Sequence, residues 1–192
     1  AHGVSVVEVK RGSTGTDMSM VRGSRFNRRV TSATEIAITG PAKGSALMKT
    51  RFSPDGTKTR GTNNNCANGY TPWGTYLTCE ENWLNVVSRA AGDNAHRSPK
   101  EVAALNRYGL PENRKSPYLW DTAGSDDLFV RWTLSVTGAS AAEDYRNIAN
   151  TFGWVVEIDP FNPTATPAKR TALGRINHEG AWPAPAVAGQ PI

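Results

Sequence analysis

The strongest constraint on this chain is how briefly any one pattern lasts. Apolar and β-branched residues come in runs of about five, each cut off by Gly, Pro, Asn or Asp. Trp154 to Asp159 shows it best, with Trp154, Val156 and Ile158 on one face and Val155, Glu157 and Asp159 on the other. Pro160 to Pro167 ends that strand, and Lys169 to Leu173 is expected to return beside it. Val4 to Val9, Met18 to Arg22, Thr34 to Thr39 and Thr75 to Glu81 read as further strands, with Lys10 to Ser13 as a turn after the first. Ser53-Pro54-Asp55-Gly56-Thr57 is a turn by residue chemistry: Pro54 presets φ and Gly56 accepts a positive one. Repeated strand–turn units predict an all-β fold.

Two helices interrupt the pattern. Ser98-Pro99 supplies an N-cap and a first-turn proline ahead of Lys100 to Tyr108, with Gly109 closing the helix. Ser140-Ala141-Ala142-Glu143 is a capping-box sequence and predicts a helix to about Ala149. At 192 residues, with 18 Gly and 12 Pro, the chain has the size of one domain and too little Gly and Pro for low-complexity disorder. Its end in a Pro/Ala-rich stretch, without a closing element, reads as a single partial domain, 1–192, of a longer protein. No apolar run approaches the roughly 18 residues of a membrane span, and no signal peptide opens the chain. A net charge of +5 is compatible with acidic partners, but the basic residues are scattered and form no reader motif, so neither nucleic acid nor membrane is an expected partner.

Residues able to carry chemistry concentrate in three places. Asn63 to Gly74 reads as a loop rich in Asn and Gly, carrying Cys66, and runs into the strand Thr75 to Glu81. Alternation puts Leu77, Cys79 and Glu81 on one face of that strand and Tyr76, Thr78 and Glu80 on the other. Carboxylates beside thiols resemble a mixed oxygen/sulfur metal site; the plainer alternative packs Cys79 in the core and leaves Glu80 in solvent. Glu157 interrupts an apolar strand and needs a metal, an ion-pair partner or solvent. Asn177-His178-Glu179-Gly180 offers an imidazole and a carboxylate, while His2 and His96 have no such neighbours. The chain has no GxSxG, no phosphate loop and no HExxH. Cys66 and Cys79 lack finger spacing and could be bridged or free.

Asn65-Cys66-Ala67-Asn68-Gly69, Thr71-Pro72-Trp73-Gly74-Thr75 and Cys79-Glu80-Glu81-Asn82 together resemble the signature of the PhoX-type alkaline phosphatases. Phe152 to Pro160 and His178-Glu179-Gly180-Ala181 match the same family in the same order, and the opening His2 to Glu8 is similar to its pattern. The resemblance implies a β-propeller of antiparallel four-stranded blades and an iron (Fe3+) and calcium cluster that hydrolyses phosphate monoesters. It also implies export to the periplasm or beyond by the twin-arginine route. A monomer is expected. Carried over by motif, the metal ligands are Cys66, Glu81, Glu157 and Glu179, with Cys79 a structural thiol. No catalytic residue is assigned, and a Cys66 bound to iron cannot also be bonded to Cys79. The rival readings are another calcium-dependent propeller hydrolase, a lactonase or phytase, and a non-enzymatic module stabilised by calcium.

Overall fold

The computed structural model describes residues 2–190. Ten short strands and two helices follow in order: β1 Val4–Val6, β2 Val9–Arg11, β3 Met18–Met20, β4 Arg28–Val30, β5 Glu35–Thr39, β6 Lys58–Arg60, β7 Asn65–Tyr70, β8 Tyr76–Glu80, α1 Pro99–Arg107, α2 Asp127–Val130, β9 Val155–Ile158 and β10 Ala168–Arg170. β1 pairs with β4 and β2 with β3, each antiparallel; the other six form one sheet in the order β6-β5-β10-β9-β8-β7. The fold is therefore mostly β, but the main sheet has six strands and is mixed. β10 runs antiparallel to β9 and parallel to β5. Its return beside β9 agrees with the pattern of the sequence, whereas the parallel neighbour comes from far upstream and has no local signature.

Several expectations need correction. Lys10 and Arg11 are not in a turn: they extend β2, whose chain reverses at Gly12–Asp17, where Gly12 N–H donates to the Asp17 carbonyl at 2.8 Å. Asn65 to Tyr70 is not a loop but an edge strand. Pairing with β8 satisfies its backbone, and a bulge between Asn65 and Asn68 absorbs the irregular register. The helix expected at 141–149 is absent. Ser140 Oγ does bond the Glu143 carboxylate at 3.0 Å, but the residues that follow are held elsewhere. The Asp144 carbonyl accepts Arg51 N–H at 2.8 Å, and Asn147 Nδ2 reaches the Lys49 carbonyl at 3.1 Å, so the chain makes turns and a 3-10 segment, Ile148–Thr151.

β8 and β9 are neighbours in the sheet, yet 74 residues separate them. That excursion, 81–154, carries its own core of Trp83, Val86, Val87, Leu110, Trp132, Leu134, Tyr145, Ile148, Ala149 and Phe152, all buried. The Val, Leu, Ile and Phe side chains among them each contribute on the order of 1.5–3 kcal/mol by leaving water. α1 lies on the outside of this unit with no fully buried residue; Leu105 packs against the core, and the helix opens with the predicted capping box. Ser98 Oγ accepts Glu101 N–H while the Glu101 carboxylate accepts Ser98 N–H at 2.9 Å. β8 ends at Glu80 and the excursion opens with Glu81, so Glu81 sits at the junction of sheet and inserted core.

Candidate functional site

The end of the β7–β8 ladder gathers the first three candidates. Asn65 pairs with Glu80 and Asn68 with Thr78, which leaves Cys66 and Ala67 in the bulge opposite Cys79. Cys66 is exposed and Cys79 fully buried; both are free thiols. The Glu81 carboxylate beside Cys66 is the main cause holding its thiol above the usual range, and Glu179 adds in the same direction. Among the described residues no ion pair involves Glu81 or Glu179, so the negative charge gathered around Cys66 is uncompensated. Cys79 packs with Leu77, Val155 and Ala181; burial first, then Cys66, pushes its thiol up to about 11.

Glu179 arrives on a separate limb. His178 N–H donates to the Glu80 carbonyl at 3.2 Å, and a Cβ on Gly69 would lie 1.8 Å from the Ala181 carbonyl oxygen. The limb thus crosses directly over β7, at a spacing that only glycine permits. His178 is buried with Nε2 against the Gly174 carbonyl at 2.9 Å, a contact that shapes the limb.

Glu157 lies apart. On β9 it pairs with Leu77 of β8, one strand beyond β8 from Cys66 and two residues along from the Cys79–Val155 pair, so strand spacing and rise put it about 12 Å from Cys66 across the sheet. Its carboxylate accepts Trp73 Nε1 at 2.9 Å, Thr75 Oγ1 and Arg170 Nε. Burial works to raise its pKa, but those three donors outweigh it and hold the group below the ordinary value. The Thr-Pro-Trp-Gly-Thr segment is the β7–β8 turn, closed by Gly74 N–H to the Thr71 carbonyl at 3.0 Å, and it hooks onto Glu157 through Trp73 and Thr75. Among the described residues no three His, Cys, Asp or Glu side chains stand close enough to hold a metal ion by themselves.

Glu80 is not in solvent, as the plainer reading had it. It is fully buried: Oε1 accepts Lys169 Nζ at 2.8 Å, and Oε2 accepts the backbone N–H of Gly153 and Trp154 at 3.0 and 3.1 Å. Lys169 also donates to the Thr151 carbonyl and stands over the Phe152 ring at 3.9 Å; burial brings its ammonium down to about 8 despite Glu80. This pair ties β8, β10 and the return of the excursion together beneath Glu81. Lys169 passes unnoticed in the sequence because nothing local marks it as a buried partner. His2, which has no chemistry-bearing neighbours in the sequence, has its Nδ1 accepting Asn64 N–H at 3.0 Å, and Tyr118 Oη donates to Asn64 Oδ1 at 2.9 Å. Asn64, at φ +49°, turns the chain into Cys66. A cavity of about 370 Å3 opens beside α1, lined in part by Arg97, Tyr108, Arg146 and Arg175, and none of the four candidates borders it.

The profile of the family described as alkaline phosphatase PhoX matches residues 1–188. The chain belongs to the PhoX alkaline phosphatase family. A solved PhoX from Pseudomonas fluorescens, in complex with vanadate, a transition state analogue, is 43% identical with a TM-score of 0.72. The match covers 93% of this chain and 27% of that one, so the chain spans about a quarter of its solved PhoX relative. Among curated proteins none matches it. The PhoX match takes in every segment described above, from the His2 contact to the Glu179 limb.

The donors present fit the metals that the family resemblance implies. A thiolate favours a transition metal such as iron, and carboxylates suit both iron and calcium. The carboxylate charge of Glu81 and Glu179 beside Cys66 is what a cation would relieve.

Proposed function

We propose that this chain contributes part of the metal centre of a phosphomonoester hydrolase, built on a β-propeller of which the six-stranded sheet and its flanking strands are a section. The observation that carries the proposal is the uncompensated grouping of Cys66, Glu81 and Glu179, at one end of β7–β8, in a chain of PhoX sequence. Cys66 would hold iron as a thiolate; Glu81 and Glu179 would hold iron or calcium. Glu157 remains in the proposed set, and to reach a metal it would have to release Arg170. Further ligands would come from outside these residues. When bound, iron and calcium would supply charge neutralisation at the phosphate oxygens and orientation of the attacking oxygen.

The residues of the chain prepare for that chemistry. The β7 bulge presents Cys66 outward, the Glu80–Lys169 pair fixes the strand end that carries Glu81, and Gly69 lets the Glu179 limb close over β7. Phosphate monoesters are the proposed substrates, and the periplasm or the medium the proposed location, where a monomer would act.

The test uses the full-length protein. Cys66→Ser is expected to abolish iron content and lower phosphatase activity on the order of 100-fold or more, with the circular dichroism spectrum unchanged. Glu157→Gln is expected to lose metal as well; full metal content in that variant would remove Glu157 from the ligand set. Iron retained in Cys66→Ser would overturn the assignment. Lactone turnover in place of phosphate ester turnover would move the protein to the rival hydrolase class.

A further inference from the structure

The β7 bulge places one thiol in the register position opposite another. With Asn65 opposite Glu80 and Asn68 opposite Thr78, both Cys66 and Ala67 oppose Cys79 alone. Regular antiparallel partners have Cα atoms about 4.5–5.5 Å apart, and a disulfide spans roughly 4.4–6.8 Å, a range that leaves room for the irregular spacing of a bulge. One thiol is exposed and the other buried, so a reagent from solvent meets Cys66 first. We propose that Cys66 and Cys79 are a reversible cross-strand disulfide pair that closes when Cys66 carries no metal. The competition with metal rests on the reading of Cys66 as a ligand; the bridge itself does not.

The oxidant is a small-molecule disulfide such as glutathione disulfide, and the reaction is two exchanges. The Cys66 thiolate attacks one glutathione sulfur, the glutathione S–S bond breaks, one glutathione leaves as thiolate, and a Cys66–glutathione mixed disulfide remains. Cys79 then attacks the Cys66 sulfur, the Cys66–glutathione bond breaks, and the Cys79 proton goes to the departing glutathione, which leaves as thiol. Two protein thiols are oxidised and one glutathione disulfide is reduced to two thiols. Closure withdraws Cys66 from the Glu81–Glu179 group and so blocks metal loading until a reductant reopens it.

Both cysteines fall in one tryptic peptide, Gly61 to Arg89, which makes the readout direct. Metal-free and metal-loaded full-length protein are incubated with glutathione disulfide, quenched with an alkylating maleimide and digested. The expected result in the metal-free sample is a peptide that is unalkylated, lighter by two hydrogens and held together after chymotryptic cleavage between the cysteines. In the metal-loaded sample no bridge is expected. Cys79→Ala should stop at the Cys66–glutathione adduct. Oxidised protein should take up no iron until reduced. An unbridged peptide in the metal-free sample, with free thiols or a lasting glutathione adduct, overturns the pair and leaves the ligand reading intact. A bridge in protein that still holds its full iron keeps the pair and overturns Cys66 as a ligand.

Discussion

Adjacent glutamates at the end of β8 have opposite fates. Glu81 meets Cys66 near the surface, whereas Glu80 is sealed beneath the sheet with Lys169 as its charge partner. Breaking a buried pair leaves one charge unmatched, which costs far more than the pair itself contributes. Glu80→Gln is therefore expected to destabilise the protein by about 3–5 kcal/mol, read as a lower urea midpoint. The double change Glu80→Leu with Lys169→Met should recover most of that loss, because it removes both charges; equal loss in single and double variants would refute the explanation. The position expected to be solvated is thus among the most sensitive to substitution, through the fold.

At the level of elements, the Glu179 limb and β7 are coupled by a single close approach. Any side chain at Gly69 collides with the backbone of Ala181, which cannot yield as a flexible side chain would. Gly69→Ala should lift 178–182 from the strand at a cost of about 1–3 kcal/mol, seen as faster amide exchange there with β8 and β9 unchanged. Unaltered exchange at 178–182 would show that the limb is held by other contacts. The α1 cap is a purely local device by comparison. Ser98→Ala should fray the first turn of 99–107 by about 1 kcal/mol in exchange protection and leave the inserted core in place, since the cap joins only Ser98 and Glu101 and the core contact of α1 is at Leu105.

For the molecule as a whole, acid sensitivity follows from carboxylates locked into arginine and backbone contacts. Asp144 accepts N–H groups from Thr137, Gly138 and Arg146 and pairs with the Arg146 guanidinium. Burial opposes ionisation, but these bonds win and bring its carboxyl from 3.8 to about 2. Asp93, between Arg89 and Arg97, is lowered as well. A depressed folded-state pKa gives stability that is complete above the unfolded value and lost as pH falls through the folded one. The Asp144 contribution, about 1–2 kcal/mol after screening, should vanish between about pH 4 and pH 2. Urea midpoints measured across that range should fall less steeply in Asp144→Asn; parallel curves would count against this origin.

What the sequence determined by itself is whatever depends on neighbours in the chain. The alternation of 154–159, the proline-marked return at β10, the Ser98 cap and the motif blocks of the family were all legible, because backbone preference and side-chain period are set within a few residues. The same reading failed where distant groups compete for the backbone. Ser140 to Glu143 keeps its side-chain bond yet makes no helix, because Arg51, Lys49 and Ala46 claim the residues after it. An Asn/Gly run became an edge strand because β8 offered it partners. Only the tertiary structure decided that Glu80 is buried against a lysine 89 positions away, that β10 lies parallel to β5, and that Cys66, Glu81 and Glu179 share one end of the sheet while Glu157 is anchored at the turn. Burial and charge pairing are properties of surfaces brought together from remote segments, and no local pattern encodes them.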